Sequence, residues 1–254
     1  MNFSNCKEEQ DKLNNLASEA MIHLANVEKT IKLFEVFLSG SQQDMFVNTY
    51  TNLVNLYFIV KRYDDAIGLL EKVRSTLPQD LEIFFVEDYH AFKVAIFIER
   101  NEPELALAEL DLGVRFFPES AVDGIIKRPV VYTHLWGLAI TRFGQMEYQL
   151  AMRLVDLCLK EFGPIDEGEL SIASETYAYN GRAKEGLVLI DKNLNRIDCK
   201  GIIFISQGLC YERISSWDLS LAAFQKAKEM LSFSANATRD INVHISRILR
   251  SKAG

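Results

Sequence analysis

The sequence predicts an all-α protein built as a stack of helical hairpins. Three observations predict it. Apolar residues recur at i, i+3, i+4 and i+7 in paired stretches, each pair joined by a short turn. Glycine and proline number only 13 and 5 in 254 residues, too few for a turn-rich sheet protein. Small residues also recur at one position of successive pairs: Thr30, Ala66, Ala106, Ala151, Gly186 and Ser220, with steps of 36, 40, 45, 35 and 34 residues. Antiparallel helices joined by a short turn must approach closely somewhere, and a small side chain permits it.

The first pair, residues 11–42, sets Leu13, Ala17, Met21 and Leu24 on one helix and Val27, Thr30, Phe34 and Phe37 on the next. A coiled-coil seam from Leu13 to Leu38 is the rival reading, and it leaves open one long helix and a homodimer through the N-terminal helices. The seam barely reaches the three to four heptads that such a reading needs, so the hairpin is preferred.

The second pair, residues 46–78, is the clearest. Tyr50, Leu53, Val54 and Tyr57 line its first helix, and Tyr63, Ala66, Ile67, Leu70 and Val73 its second. Lys61 and Arg62 make the turn, Asp64 and Asp65 meet the positive end of the second helix dipole, and Pro78 stops it. The third pair, 81–118, opens its second helix at Pro103 and closes at Pro118. Its first helix is long and aromatic, which implies burial on more than one side. Residues 119–128 read as an irregular linker before the fourth pair, 129–164, with Trp136, Gly144 at the turn and Ala151. The fifth pair, 168–197, turns at Gly181. The sixth, 201–232, carries Gly208, Tyr211, Trp217, Ser220, Phe224 and Ala227. Residues 236–251 form a one-sided helix, with Ile241, Ile245 and Ile248 on its apolar face, suited to capping the stack.

Tyr50, Leu53, Val54, Tyr57, Ala66, Leu70 and Pro78 resemble the tetratricopeptide repeat, whose pattern is W-x2-L-G-x2-Y, A-x3-F and P over 34 residues. Val54 stands where that pattern has glycine. The resemblance implies a right-handed α-α superhelix of about six degenerate hairpins plus the capping helix, as one repeat domain over 1–254. It further implies a scaffold that holds a peptide or helical segment of a partner protein in its groove. A peptide-sensing regulator that changes curvature is the alternative, and an enzyme comes third.

In that family the first helix of each pair faces the groove. Carried over residue by residue, the groove takes Thr51, Asn55, Phe58 and Ile59, then Ala91, Ala95 and Glu99, then His134, Leu138 and Arg142, then Glu175 and Tyr179, then Leu209, Glu212 and Arg213. Arg142 and Tyr179 are the favoured anchors, since both residue types are enriched among binding hot spots. Of the clamp with which some members hold a terminal carboxylate, only Asn55 and Asn52 survive, and Glu99 would repel that ligand.

The remaining signals argue against other classes. A net charge of −7 disfavours nucleic acid as a partner. The start has no apolar core of a signal peptide, and no run of about 18 apolar residues could span a membrane, so the expectation is a cytoplasmic chain with no membrane partner. Cys6, Cys158, Cys199 and Cys210 show no paired spacing and read as free thiols. The four histidines are scattered, which argues against a metal site. Gly181 to Gly186 has the glycine spacing of a phosphate loop, but Leu187 and Val188 stand where Lys and Ser/Thr are required. No cofactor and no catalytic residue is expected.

Overall fold

The computed structural model describes residues 3–40, 47–76, 79–116, 120–122, 126–161, 163–164, 166–197 and 200–253. Among them run thirteen α-helices. They pair as α1 (Phe3–His23) with α2 (Val27–Gly40), α3 (Val47–Ile59) with α4 (Tyr63–Thr76), and α5 (Gln79–Glu99) with α6 (Pro103–Phe116). Then follow α7 (Val130–Gly144) with α8 (Tyr148–Glu161), α9 (Glu167–Tyr179) with α10 (Ala183–Asn193), α11 (Gly201–Arg213) with α12 (Trp217–Met230), and last α13 (Ala235–Ala253). Packing divides the chain into two compact units. One comprises Met1–Ser120 and Pro129–His134, the other Ala121–Arg128 and Leu135–Gly254.

Each hairpin from the second to the sixth turns in the same way. A backbone N–H donates to the carbonyl five residues back: Arg62 to Tyr57, Glu102 to Phe97, Glu147 to Arg142, Arg182 to Tyr177 and Ser216 to Tyr211, at 2.8–2.9 Å. The residue before each donor is left-handed: Lys61, Asn101, Met146, Gly181 and Ser215 have φ of 59–76°. This is the geometry that closes a helix C-terminus by satisfying its last carbonyls. Tyr57, Phe97, Arg142, Tyr177 and Tyr211 therefore hold one equivalent position, nine residues before Ala66, Ala106, Ala151, Gly186 and Ser220.

Those small residues, with Thr30, are all buried. At Gly186 a Cβ would lie 2.8 Å from the Ser174 carbonyl oxygen and 3.0 Å from Cys210 Sγ, so only glycine fits without movement. Ser220 instead turns its hydroxyl to the carbonyl of Gly208, at 2.8 Å. At fully buried Ala66, replacement by leucine should cost about 1–3 kcal/mol through overpacking. A chemical-denaturation midpoint equal to wild type would show that the two helices are not in tight contact there.

A repeated clamp ties the second helix of one hairpin to the turn of the next. Tyr57 Oη and Arg62 Nη2 both donate to Glu35 Oε1, each at 2.9 Å, and the guanidinium lies 4.7 Å over the Tyr57 ring. In the second unit Tyr177 and Arg182 make the same arrangement on Asp156, at 2.6 and 2.7 Å, with the guanidinium 4.5 Å over Tyr177.

The long α5 is buried on several sides, as its aromatics imply, with Tyr89 through Phe92 and Val94 through Ile96 all enclosed. It carries a charged network inside the first unit. His90 Nδ1 lies 2.5 Å from Glu109 Oε1, and Lys93 Nζ lies 3.0 Å from both Glu109 Oε2 and Glu71 Oε1.

The structure corrects the sequence reading in several places. Leu24 is in a turn, half-exposed, with φ +50°, and Asn26 follows with φ +58°. These two left-handed residues end α1 at His23, so α1 and α2 form a hairpin and no continuous seam runs through them. α1 also begins earlier than expected, at Phe3. The linker before the fourth pair holds two short paired strands, β1 (Ser120–Val122) and β2 (Ile126–Arg128), where no sheet was expected. Cys158 and Cys210 are free and buried, whereas Pro78, Pro118 and Cys199 lie outside the described residues.

Candidate partner-binding face

In α9, from Gly168 onward, everything is buried except one stripe: Gly168, Ile172, Glu175 and Tyr179. These are spaced four, three and four, so they lie along one side of the helix. The next first helix, α11, packs on α9 and has its own open row in Ile202, Ile205, Glu212 and Arg213, whereas Leu209, expected in the groove, is buried in the core. In the first unit, Asn52, Asn55 and Ile59 form the corresponding row of α3. Counted from the carbonyl that closes each turn, Asn55, Ala95, Ile140, Glu175 and Leu209 share one position, at which Ala95 and Leu209 are buried; Ala91, one turn before Ala95, is buried too. Ile59, Glu99, Gly144, Tyr179 and Arg213 share another, four residues on.

This count places the expected groove residues. Asn55, Glu99, Glu175, Tyr179 and Arg213 stand on open rows. Phe58 does not: it is buried, with its ring edge-on to Tyr63 at 5.4 Å. Arg142 does not either. It takes in α7 the enclosed place that Tyr177 takes in α9, is 1% exposed, and donates from Nη1 to Gln145 Oε1 at 2.7 Å. Leu138, one turn back along the same enclosed side, is buried with it. The residue at the open position is Ile140, 41% exposed. Nine residues back from Ala151 would have located the error in the sequence, but the irregular step of 45 residues obscured it.

Tyr179 and Arg213 come together. The Arg213 guanidinium sits 4.5 Å over the Tyr179 ring, which stacks on Tyr148 at 4.7 Å and meets Phe143 edge-on at 5.5 Å. A cation over an aromatic face and stacked rings both hold such a cluster in shape. Other expected residues are engaged elsewhere. His134 Nδ1 lies 2.6 Å from Asp88 in the first unit, and Glu99 lies 3.5 Å from Lys61. Glu212 is bound by Arg247 of α13, Nε to Oε1 at 2.6 Å, so it serves the capping helix.

Glu175 is the electrostatic exception. Burial pushes its carboxyl above the usual range, and hydrogen bonds from Ser206 and Ser171 only partly oppose this. Both hydroxyls donate to Oε1, at 2.8 Å from Ser206 and 3.3 Å from Ser171. One turn along α11 from Ser206, burial and the Glu175 charge push the Cys210 thiol up to about 12. A thiol so raised stays protonated and is a poor nucleophile.

Two open cavities lie off this face: one between α2 and α4, beside Glu35 and Asp65, the other along α13, beside Arg239 and Arg250. Among the described residues, no helix is long and apolar enough to cross a membrane, and no group of three or more His, Cys, Asp or Glu could hold a metal ion.

No family model and no curated protein matches the sequence. Among solved structures, the chain is similar to a tetratricopeptide repeat protein from Parabacteroides merdae, at 14% identity over 94% of this chain and 84% of that one, TM-score 0.45. It is similar to the C-terminal part of a TPR repeat-containing protein from Cytophaga hutchinsonii, at 13% identity over 94% and 90%, TM-score 0.44. A third is the TPR2AB domain of yeast Sti1 in its pHSP90 complex, at 11% identity over 97% and 99%, TM-score 0.41. The repeat assignment rests on the chain itself. With five identical turns, each followed nine residues after its carbonyl by a buried small side chain, the described residues form a repeat of α-helical hairpins.

Proposed function

We propose that the chain is a protein-interaction scaffold that holds a peptide or helical segment of a partner protein along the open rows of its first helices. The observation that carries this reading is the α9–α11 face. Its accessible residues combine apolar Ile172, Ile202 and Ile205 with the Tyr179–Arg213 pair, while from Gly168 onward the residues of α9 off this stripe are enclosed. Apolar anchors beside a few charges suit a helix laid in a groove or an extended segment. A terminal carboxylate is a poor fit, because the positions equivalent to Asn55 carry Ala95, Ile140, Glu175 and Leu209, none of them cationic.

The test starts from the partner, recovered by cross-linking in the source cells and reduced to its binding segment. Tyr179→Ala should then weaken binding by about 2 kcal/mol, roughly 30-fold, as for an aromatic hot spot. Calorimetric titration measures this, with circular dichroism to show that the variant is folded. Hydrogen exchange should slow in α9 and α11 when the segment binds. Protection confined to other helices, with Tyr179→Ala binding as tightly as wild type, would remove the assignment. Arg142→Ala is the wrong probe, since a buried side chain reports on packing first.

A further inference from the structure

We infer that Glu175 is the counter-charge for one cationic side chain, lysine or arginine, of a segment bound on the α9–α11 face. The inference rests on the proposed binding face and names the chemistry of its ligand.

Several of the other enclosed or half-enclosed acids among the described residues are matched to a cation. Glu35 has Arg62, Asp156 has Arg182, Glu109 has Lys93 and Glu212 has Arg247. Glu175 has none among the described residues; its hydrogen bonds come only from Ser171 and Ser206. A desolvated carboxylate without a counter-ion is a cost to the folded protein, of the kind retained where it serves a ligand.

The geometry fits that role. Both serines bind Oε1, and no described hydrogen bond goes to Oε2. The two Oγ atoms lie 2.7 Å apart, and Ser206 comes from the neighbouring helix. The carboxylate is thus fixed from two helices before any ligand arrives, which lowers the ordering cost of binding. It sits at the middle of the open stripe of α9, with Ile172 one turn before it and Tyr179 one turn after. An approaching ammonium or guanidinium would meet Oε2 in surroundings poor in water, where a charge-assisted hydrogen bond is strong. The ligand class is therefore a segment with a single Lys or Arg between apolar side chains.

The test uses the full chain and its Glu175→Gln variant, which keeps shape and removes charge. Without an unpaired desolvated carboxylate, Glu175→Gln should melt higher, by about 2–4 °C for each kcal/mol relieved. Peptides selected on the wild type from a random phage-displayed library should share one Lys or Arg position. Replacing that residue by norleucine should cost at least about 10-fold in affinity on the wild type and little on Glu175→Gln, which a double-mutant cycle reads directly. A lower melting temperature for Glu175→Gln, or equal affinity for cationic peptides in both proteins, overturns the inference. Tyr179→Ala separates the two levels of failure. Selected peptides that weaken with Tyr179→Ala but not with Glu175→Gln leave the binding face standing and remove the role of Glu175. Peptides indifferent to both variants, or a selection that yields none, remove the face and Glu175 together.

Discussion

Glu109→Ala should destabilise the protein by about 3–5 kcal/mol, the range for stripping one partner from a buried ion pair. Glu109 is 6% exposed and accepts from two cationic or titratable groups, His90 and Lys93, at 2.5 and 3.0 Å. Its removal leaves the Lys93 ammonium, itself largely enclosed, with only Glu71 and the Tyr89 hydroxyl. The same contacts give a pH dependence of defined sign. Burial alone would raise the Glu109 carboxyl, but hydrogen bonds from His90 and Lys93 outweigh it and hold the group below its ordinary value. A carboxyl depressed in the folded state contributes stability that is complete above its unfolded value, about 4.3, and is lost as pH falls through the folded value. Urea unfolding at pH 7 and at stepwise lower pH checks both points. The gap between wild type and Glu109→Ala should be largest at neutral pH and shrink in acid. A midpoint shift under about 1 kcal/mol at pH 7, the worth of a surface pair, would show that the network is solvated.

Phe224→Ala should cost about 3–5 kcal/mol, as for an aromatic removed from a core. Phe224 is fully buried in the last core cluster, with Phe204, Leu209, Ala227, Leu231 and the α13 residues Ile241 and Ile248. Its ring fills the space that Gly208 leaves open: a Cβ there would come within 2.8 Å of the ring. It also stacks on His244 of α13, at 4.8 Å between centroids, so the truncation loosens the capping helix too. Thermal unfolding measures the loss, and hydrogen exchange should show faster opening of α13 than of α9. Wild-type exchange in α13 would mean that the cap is held by its ion pair to Glu212 and not by this ring.

Much of this protein was legible in one dimension because a helical hairpin is a local object. The 3.6-residue period of Leu53, Val54 and Tyr57 placed the helices. The glycine of the fifth turn, Gly181, fell where a left-handed residue was required, with φ +76°. The series from Thr30 to Ser220 named the close contacts, since contact between two helices joined by a short turn depends on residues a few positions apart. What failed was register across the irregular join. The family's repeat positions place Arg142 in the groove and its residue type favours a hot spot, but its position relative to the turn puts the guanidinium inside.

The sequence by itself therefore determined the helices, their pairing and the small residues that let them touch, because propensity, turn chemistry and volume act over short separations. Only the tertiary structure decided which side of each first helix stays open and which acid goes without a cation. Glu175 meets Ser206 from 31 residues away, and Glu109 meets His90 and Lys93 across two helices. Those meetings depend on how hairpins stack, a distance-dependent balance of burial and charge that no local pattern records.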